Sequence, residues 1–394
     1  MWGRLRSLIP TSPLPWHWHA RFYRALLITI LVLSAAGAVI SVLLQRESGE
    51  GPGAAGAGLK TSPAVSKALD ALTPEQKADA VVAAGIDPSS AVATVSKAQL
   101  GAVVIGPEDW AAGGAGLVRQ VRDAGASGGR IPPFVIGLQE GGVYRAYPDL
   151  PPAESQLDIG LTGDPRAAKE WSEGTAKALR SAGFDLNLGP LADVAGPASP
   201  IADRSFSDDP SLATSLVGAA VKGCEGTGIA CAVPHFPGLG AASDNTDISP
   251  ATVSLDDASL RVRDLSAFVA AFDAGAPATV LSLAFYTAYD PIVPAALSPE
   301  IATDLLRGEL GFEGLAISDD LSAGAITAGL GSPEAAVQAI AAGTDLVMVD
   351  DAAQAGQVRT AIAKGVKEGG ISEQRLDDAV ARVLQLKKQL GLLP

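Results

Sequence analysis

Histidine and cysteine are scarce in this chain. Its 394 residues include three histidines, His17, His19 and His235, and two cysteines, Cys224 and Cys231. Two of the histidines precede the apolar segment described below, so a histidine-rich metal centre lacks ligands. A carboxylate-only magnesium or calcium site stays open, although no loop has calcium-ligand spacing. No metal and no cofactor is expected. Basic residues are also few. The 29 Lys and Arg against 43 Asp and Glu give a formal net charge of −14, which repels phosphate backbones and argues against nucleic acid as a partner. Aromatic residues are 5% of the chain, too few for a long stacking platform on polysaccharide. Tyr286, Tyr289 and Phe206 are read as packing residues. No glycine-rich dinucleotide fingerprint follows any apolar run, and no nucleophile-elbow sequence is present.

Apolar residues are plentiful, at 47% of the chain. Residues 1–24 carry Arg4, Arg6, Arg21 and Arg24 and no acid, a positive N-terminal flank. Ala25–Leu44 is uncharged and apolar over ~20 residues, enough to cross a bilayer as a helix. The positive-inside rule then keeps residues 1–24 in the cytoplasm and the rest of the chain outside. A cleaved signal peptide is the rival, but Gln45-Arg46-Glu47 follows where a small-residue cleavage site belongs. An uncleaved single-pass anchor at the cell membrane is the expectation. Residues 45–65, rich in Gly, Ala, Ser and Pro, read as a flexible tether. The folded domain is expected over 66–394, with no second folded domain after its last helix. Outside the cytoplasm Cys224 and Cys231 could pair and staple the loop between them; two free buried thiols is the equal alternative.

Within that domain, eight short apolar runs alternate with helix-like stretches. The runs are Val81–Ile86, Ala102–Ile105, Phe134–Leu138, Phe184–Leu188, Ala230–Val233, Thr279–Leu283, Leu315–Ile317 and Asp345–Val349. The helical stretches include Pro165–Ala182, Pro210–Cys224, Leu255–Ala274, Ser298–Leu310, Ser332–Ala342, Ala352–Glu368 and Ser372–Leu390. Alternation of this kind implies crossover units and a parallel sheet. Eight units over this length predict an α/β fold, a single (β/α)₈ TIM-type barrel. An open doubly wound sheet is the runner-up.

The stretch Gly311–Ile326 carries the chemistry. The strand-like Leu315-Ala316-Ile317 stops at Ser318-Asp319-Asp320, and a helix-like run follows. One carboxylate there could merely cap the helix. A pair at the C-terminal end of a parallel strand fits a polar site, and Asp319 is the leading candidate. Other polar residues follow other runs: Gln139 and Glu140, Asp193, Arg204–Pro210, His235, and Asp350-Asp351. In a barrel they converge on one mouth. Carboxylates with one Arg and one His suit a polyhydroxylated ligand, and one carboxylate can act as nucleophile.

The motifs LTPEQKADAVVAAGI, LQEGGVYR, DLNLGPLADV, RSFSDDP, PHFPGLG, PAALSPEIATDLLRGELGFEGLAISDDLSAGAI and AAVQAIAAGTDLVMV occur in this order from about Leu72 to the C-terminus. Together they resemble the N-terminal barrel of family 3 glycoside hydrolases, most closely the single-domain bacterial β-N-acetylglucosaminidases that act on peptidoglycan fragments. The resemblance implies a retaining mechanism with a covalent glycosyl-enzyme, no cofactor, and a carbohydrate partner derived from cell-wall glycan. It implies Asp319 as nucleophile and Arg204 and His235 as substrate-binding residues, with Glu140 in the same set.

The chain departs from the family pattern at several positions. Pro234 and Leu239 replace the lysine and second histidine of K-H-F-P-G-H-G. Leu138 replaces the aspartate of D-Q-E-G-G-R, and Leu283 stands where a histidine is expected. The family's acid/base is a His–Asp dyad on the loop after K-H-F-P-G-H-G. Here that loop, residues 241–247, has no histidine and offers Asp244 or Asp247 as acid/base. Two expectations follow. The chain is a membrane-anchored glycosidase with an altered acid/base, or an impaired pseudoenzyme that binds cell-wall glycan or an envelope partner through the old site.

Overall fold

The computed structural model describes Leu59 and residues 61–393, and the anchor expected over Ala25–Leu44 lies outside them. Among the described residues, no helix is long and apolar enough to cross a membrane. The helix Pro63–Asp70 begins inside the stretch expected to be tether, and its Val65 is fully buried. Residues 63–65 of that stretch are therefore part of the folded domain, because Val65 packs into its core.

Eight parallel strands close into a barrel. They are β1 (Val82–Gly85), β2 (Ala102–Val104), β3 (Phe134–Gly137), β4 (Leu186–Leu188), β5 (Ala230–Phe236), β6 (Ala278–Leu281), β7 (Leu315–Asp320) and β8 (Leu346–Val349). Each pairs with its neighbours in sequence, and β1 pairs with β8. All eight apolar runs of the sequence are barrel strands. Their continuous apolarity reflects burial on both faces. In β8, Leu346 and Met348 join the cluster inside the barrel, while Val347 and Val349 pack outward against the helix layer. The two-residue side-chain period sorts one apolar run into two cores.

Local signals set the helix limits. Pro165–Ala182 starts after Asp164, whose side chain accepts the Arg166 N–H at 2.9 Å, and ends at Gly183 with φ 101°. An acceptor before a first-turn proline, then a left-handed glycine, is the expected start and stop. The stretch Leu255–Ala274 is not one regular helix. It is Asp257–Leu260, a widened turn Arg261–Leu265 with π-type hydrogen bonding, and Ser266–Asp273. A two-stranded ribbon, Thr252–Val253 with Phe285–Tyr286, lies outside the barrel and is too short to leave a sequence signal.

The C-terminal helix Glu373–Gln389 closes the N-terminal end of the barrel. Its Val383 and Leu386 belong to the cluster inside the barrel, and Lys387 Nζ donates to the Pro132 carbonyl at 2.8 Å, just before β3. Buried aspartates brace this end. Asp345, before β8, accepts from Arg307 at 2.6 Å, from Arg375 and Arg382, and from the Ala316 N–H at 3.0 Å. Asp185, before β4, accepts from Arg122, Arg180 and the Val135 N–H. Cys224 and Cys231 are bonded, with Cα atoms 6.3 Å apart. The bond ties the end of helix Pro210–Cys224 to β5.

Candidate active site

A cavity of about 760 Å³ opens at the C-terminal ends of the strands. Asp319, Asp320, His235, Arg204, Glu140 and Asp350 all line it. Strand register explains Asp319. In β7, Leu315 and Ile317 point into the barrel, so the next residue on that face is Asp319. Ser318 faces the other way and accepts the Met348 N–H at 3.0 Å.

His235 arrives by a different route. Pairing of β5 with β6 shifts register between Val233 and Phe236, a bulge that re-aims the side chain between them. Beyond it, Phe236 packs against Phe268 in the outer core. His235 Nδ1 lies 2.7 Å from Asp193 Oδ2, and its Nε2 lies 3.9 Å from Asp319 Oδ2. Asp193 is buried. Its Oδ1 accepts the Leu239 N–H at 2.6 Å and the His235 N–H at 3.3 Å. Asp193 is thus the orienting partner of His235. The sequence marks it only as a polar residue after β4.

Arg204 and Glu140 form a two-pronged ion pair. Arg204 Nε donates to Oε2 at 2.8 Å and Nη2 to Oε1 at 2.7 Å. The Arg204 guanidinium also sits 5.3 Å from the centre of the Tyr144 ring. The fork fixes the arginine's plane in the cavity wall.

The charges at the site are coupled. Burial pushes the Asp319 carboxyl above the ordinary aspartate range. His235 and Arg204 oppose that rise and Asp247 adds to it. Burial pulls His235 toward its neutral form, but the charge and hydrogen bond of Asp193, with Asp319 beyond, outweigh it and raise its pKa. Burial, with repulsion from Asp319 and Asp350, pushes Asp320 up to about 6. A histidine whose pKa is raised and an arginine therefore face Asp319, and both oppose the rise that desolvation imposes on its carboxyl.

The loop after β5 separates its two candidates. Asp244 accepts the Asn245 N–H at 2.8 Å and the Ser249 hydroxyl at 3.0 Å, which closes a local turn. Asp247 is exposed, and among the described residues its carboxylate has no hydrogen-bond partner. Its loop is docked beside β7: Gly324 N–H donates to the Asp247 carbonyl at 2.9 Å and Ala325 N–H to the Thr246 carbonyl at 3.0 Å. Neither carboxylate is among the residues that line the cavity; of the two, Asp247 is the one whose charge acts on Asp319, while Asp244 serves the turn.

The departures from the family pattern also divide. Leu138 and Pro234 line the cavity. Leu239 and Leu283 are buried in the hydrophobic core. Gln139 does not face the cavity; its amide donates to the carbonyls of Tyr147, Leu150 and Pro151 and folds its own loop. Asp351 caps the helix Ala352–Lys367 by accepting the N–H groups of Ala353 and Gln354. Tyr286 and Phe206 are buried packing residues, and Tyr289 donates to Asp257 at 2.6 Å.

Comparison with known proteins agrees with the barrel fold. The model of the glycosyl hydrolase family 3 N terminal domain matches residues 73–386. A beta-hexosaminidase of Stenotrophomonas maltophilia strain K279a is 36% identical over 230 residues, 55% of this chain and 67% of that one. A family 3 β-N-acetylglucosaminidase from Paenibacillus sp. FPU-7 superposes with a TM-score of 0.79 at 30% identity, over 82% of this chain and 63% of that one. A β-N-acetylhexosaminidase from Beutenbergia cavernae superposes at 0.72 with 31% identity, over 80% of this chain and 99% of that one. The chain belongs to glycosyl hydrolase family 3.

Proposed function

We propose that the chain is a glycosidase that hydrolyses β-N-acetylhexosaminides by a retaining mechanism. The observation that carries this reading is Asp319 at the end of β7, inside the cavity, with His235 Nε2 3.9 Å away and Arg204 on the same wall. Asp319 Oδ2 attacks the anomeric carbon as the bond to the leaving oxygen breaks. Asp247 gives its proton to that oxygen. It then takes a proton from the water that displaces Asp319 from the sugar, and the cycle closes. This requires the two carboxyls to stand roughly 5–5.5 Å apart when substrate is bound. His235 and Arg204 favour the ionised form of Asp319 before attack and its departure afterwards. Glu140 and Arg204 offer an acceptor edge and a donor edge to sugar hydroxyls.

The relatives named above are a beta-hexosaminidase, a β-N-acetylglucosaminidase and a β-N-acetylhexosaminidase by name, which supports the substrate class. Cell-wall glycan is the proposed natural source, and the anchor over Ala25–Leu44 is proposed to hold the barrel outside the cytoplasm. The bonded cysteines favour that compartment. A second reading, binding without turnover, draws on Leu138 and Pro234 in the cavity wall, where the family pattern has an aspartate and a lysine.

Hydrolysis of a chromogenic aryl β-N-acetylglucosaminide by the full chain, beside Asp319→Ala, separates the two. Release that depends on Asp319 is the expected result. An activated aryl leaving group needs little acid assistance. Silence from a folded chain on several aryl glycosides therefore removes the glycosidase reading and leaves binding. Membrane fractionation after alkaline extraction tests the anchor, since an uncleaved span stays with the lipid.

A further inference from the structure

Arg263 and Asp264 are charged residues that line no part of the cavity. They sit in the widened turn Arg261–Leu265, and Asp264 is fully buried. Asp264 Oδ1 accepts the Val194 N–H at 3.3 Å, and Arg263 Nη2 donates to the Val194 carbonyl. Val194 is therefore held at both its backbone polar groups, one residue after Asp193. The same acid touches the loop that carries His235. A Cβ added to Gly238 would lie 2.3 Å from the Asp264 Cβ, and a Cβ added to Gly240 would lie 2.0 Å from the Val194 carbonyl oxygen. Tyr286 closes the other side by donating its hydroxyl to the Gly238 carbonyl at 3.0 Å. Asp264 Oδ2 has no partner, and Arg263 Nε is 3.9 Å away. An unsatisfied buried carboxyl oxygen is costly to keep, and a π-type turn in a helix is often associated with a functional site.

We propose that Arg263 and Asp264 are positioning residues: by gripping Val194 and wedging Gly238 they hold Asp193 against His235, and so hold the imidazole beside Asp319. Asp193 contacts His235 Nδ1, the His235 N–H and the Leu239 N–H with two oxygens. A small slip of its backbone loosens all three contacts. Arg204 and Asp319 are the other charges that face His235.

The test reads His235 directly, so it stands whether or not the chain turns over substrate. With three histidines in the chain, His235 is assigned in labelled full-length protein by comparison with His235→Gln. Its imidazole is then titrated by NMR in wild type and in Arg263→Ala. Removing a cation, by charge alone, raises a neighbouring histidine's midpoint. Loss of the Asp193 contact lowers it. The clamp therefore predicts a fall toward the ordinary histidine value, with recovery in Arg263→Lys. A midpoint that rises or stays in Arg263→Ala overturns the proposal. If Arg263→Ala does not fold, Asp264→Asn and Asp264→Ala decide. Both remove the charge, but only the alanine removes the acceptor for Val194, so only the alanine should lower the midpoint further. Equal titrations in that pair overturn the proposal. For the proposed glycosidase, Arg263→Ala should also lose ~10-fold in kcat/KM on an aryl glycoside, the scale typical of an orienting partner.

Discussion

The two ends of the barrel treat the same residue type in opposite ways. Asp345, at the start of β8, is fully buried, yet its pKa is depressed. Burial alone would raise it, but Arg307, Arg382 and Arg375 outweigh that. Asp319, at the end of β7, is raised: burial wins although His235 and Arg204 oppose it. Three arginines and a backbone N–H spend every lone pair at Asp345 on structure. At Asp319, one backbone bond from the Asp320 N–H holds Oδ1, and Oδ2 lies 3.9 Å from His235 Nε2 with no hydrogen bond among the described residues. A carboxylate kept for folding is saturated with donors. Asp319, at the mouth, is left short of them.

The first way to break this comparison is Asp319→Ala. It should abolish glycoside hydrolysis, by ~10⁴-fold or more, as loss of a nucleophile does, while the thermal melt barely moves. Asp345→Ala should do the reverse. It strands three arginines and should cost about 3–5 kcal/mol in denaturant unfolding. Residual activity should survive wherever the chain stays folded. Parity of the two variants in either assay would dissolve the contrast.

Asp247→Asn sharpens the comparison within the mouth. It should cost ~10²-fold on a glycoside with a poor leaving group and much less on an activated aryl glycoside. Asp244→Asn should affect neither by a comparable factor. If Asp244→Asn shows the leaving-group dependence instead, the acid/base assignment moves to that residue.

The smallest effect concerns pH and Asp264. Burial pushes this carboxyl up to about 7, against Arg263 and the Val194 N–H, with Asp193 adding to the rise. A raised carboxyl pKa means the unfolded chain releases its proton first. The stability it contributes is fully present below the ordinary aspartate value and is lost as pH climbs through about 7. Asp264→Asn should therefore flatten the decline in stability across that window in melts taken at several pH values. Asp345 has the opposite sign. Its contribution is present above the ordinary aspartate value and fails as pH drops through its depressed one. An acid-side loss that persists in an Asp345 variant that still folds would point to other carboxylates.

Much of this was legible in the residues. The eight apolar runs are the eight strands, because strands buried on both faces must be apolar throughout. Asp319 was legible because a carboxylate pair breaks that apolarity at the end of a strand. Glu140, Arg204 and His235 share the cavity, as their places after strands suggested. Other features left no local trace. The widened turn at Arg261–Leu265 reads in sequence as ordinary helix, and Asp264 as one more surface acid. The bulge that re-aims His235 exists only in the pairing of β5 with β6. The docking of the Asp247 loop beside β7 rests on backbone hydrogen bonds from Gly324 and Ala325, far away in the chain.

The residues alone carried the barrel, the family and the place of Asp319 at a strand end in the mouth. Each rests on short-range patterns: a period of two, helix start and stop residues, and motifs contiguous in the chain. Tertiary structure decided which lost family residues open onto the cavity and which merely pack, since Leu138 and Pro234 face it and Leu239 and Leu283 do not. It also decided that the two cysteines join, that Asp193 holds His235, and that Asp345 is saturated with donors while Asp319 is left short of them. The reason is physical. A side chain's charge state depends on which donors and charges surround it, and those come from strands and helices far apart in sequence.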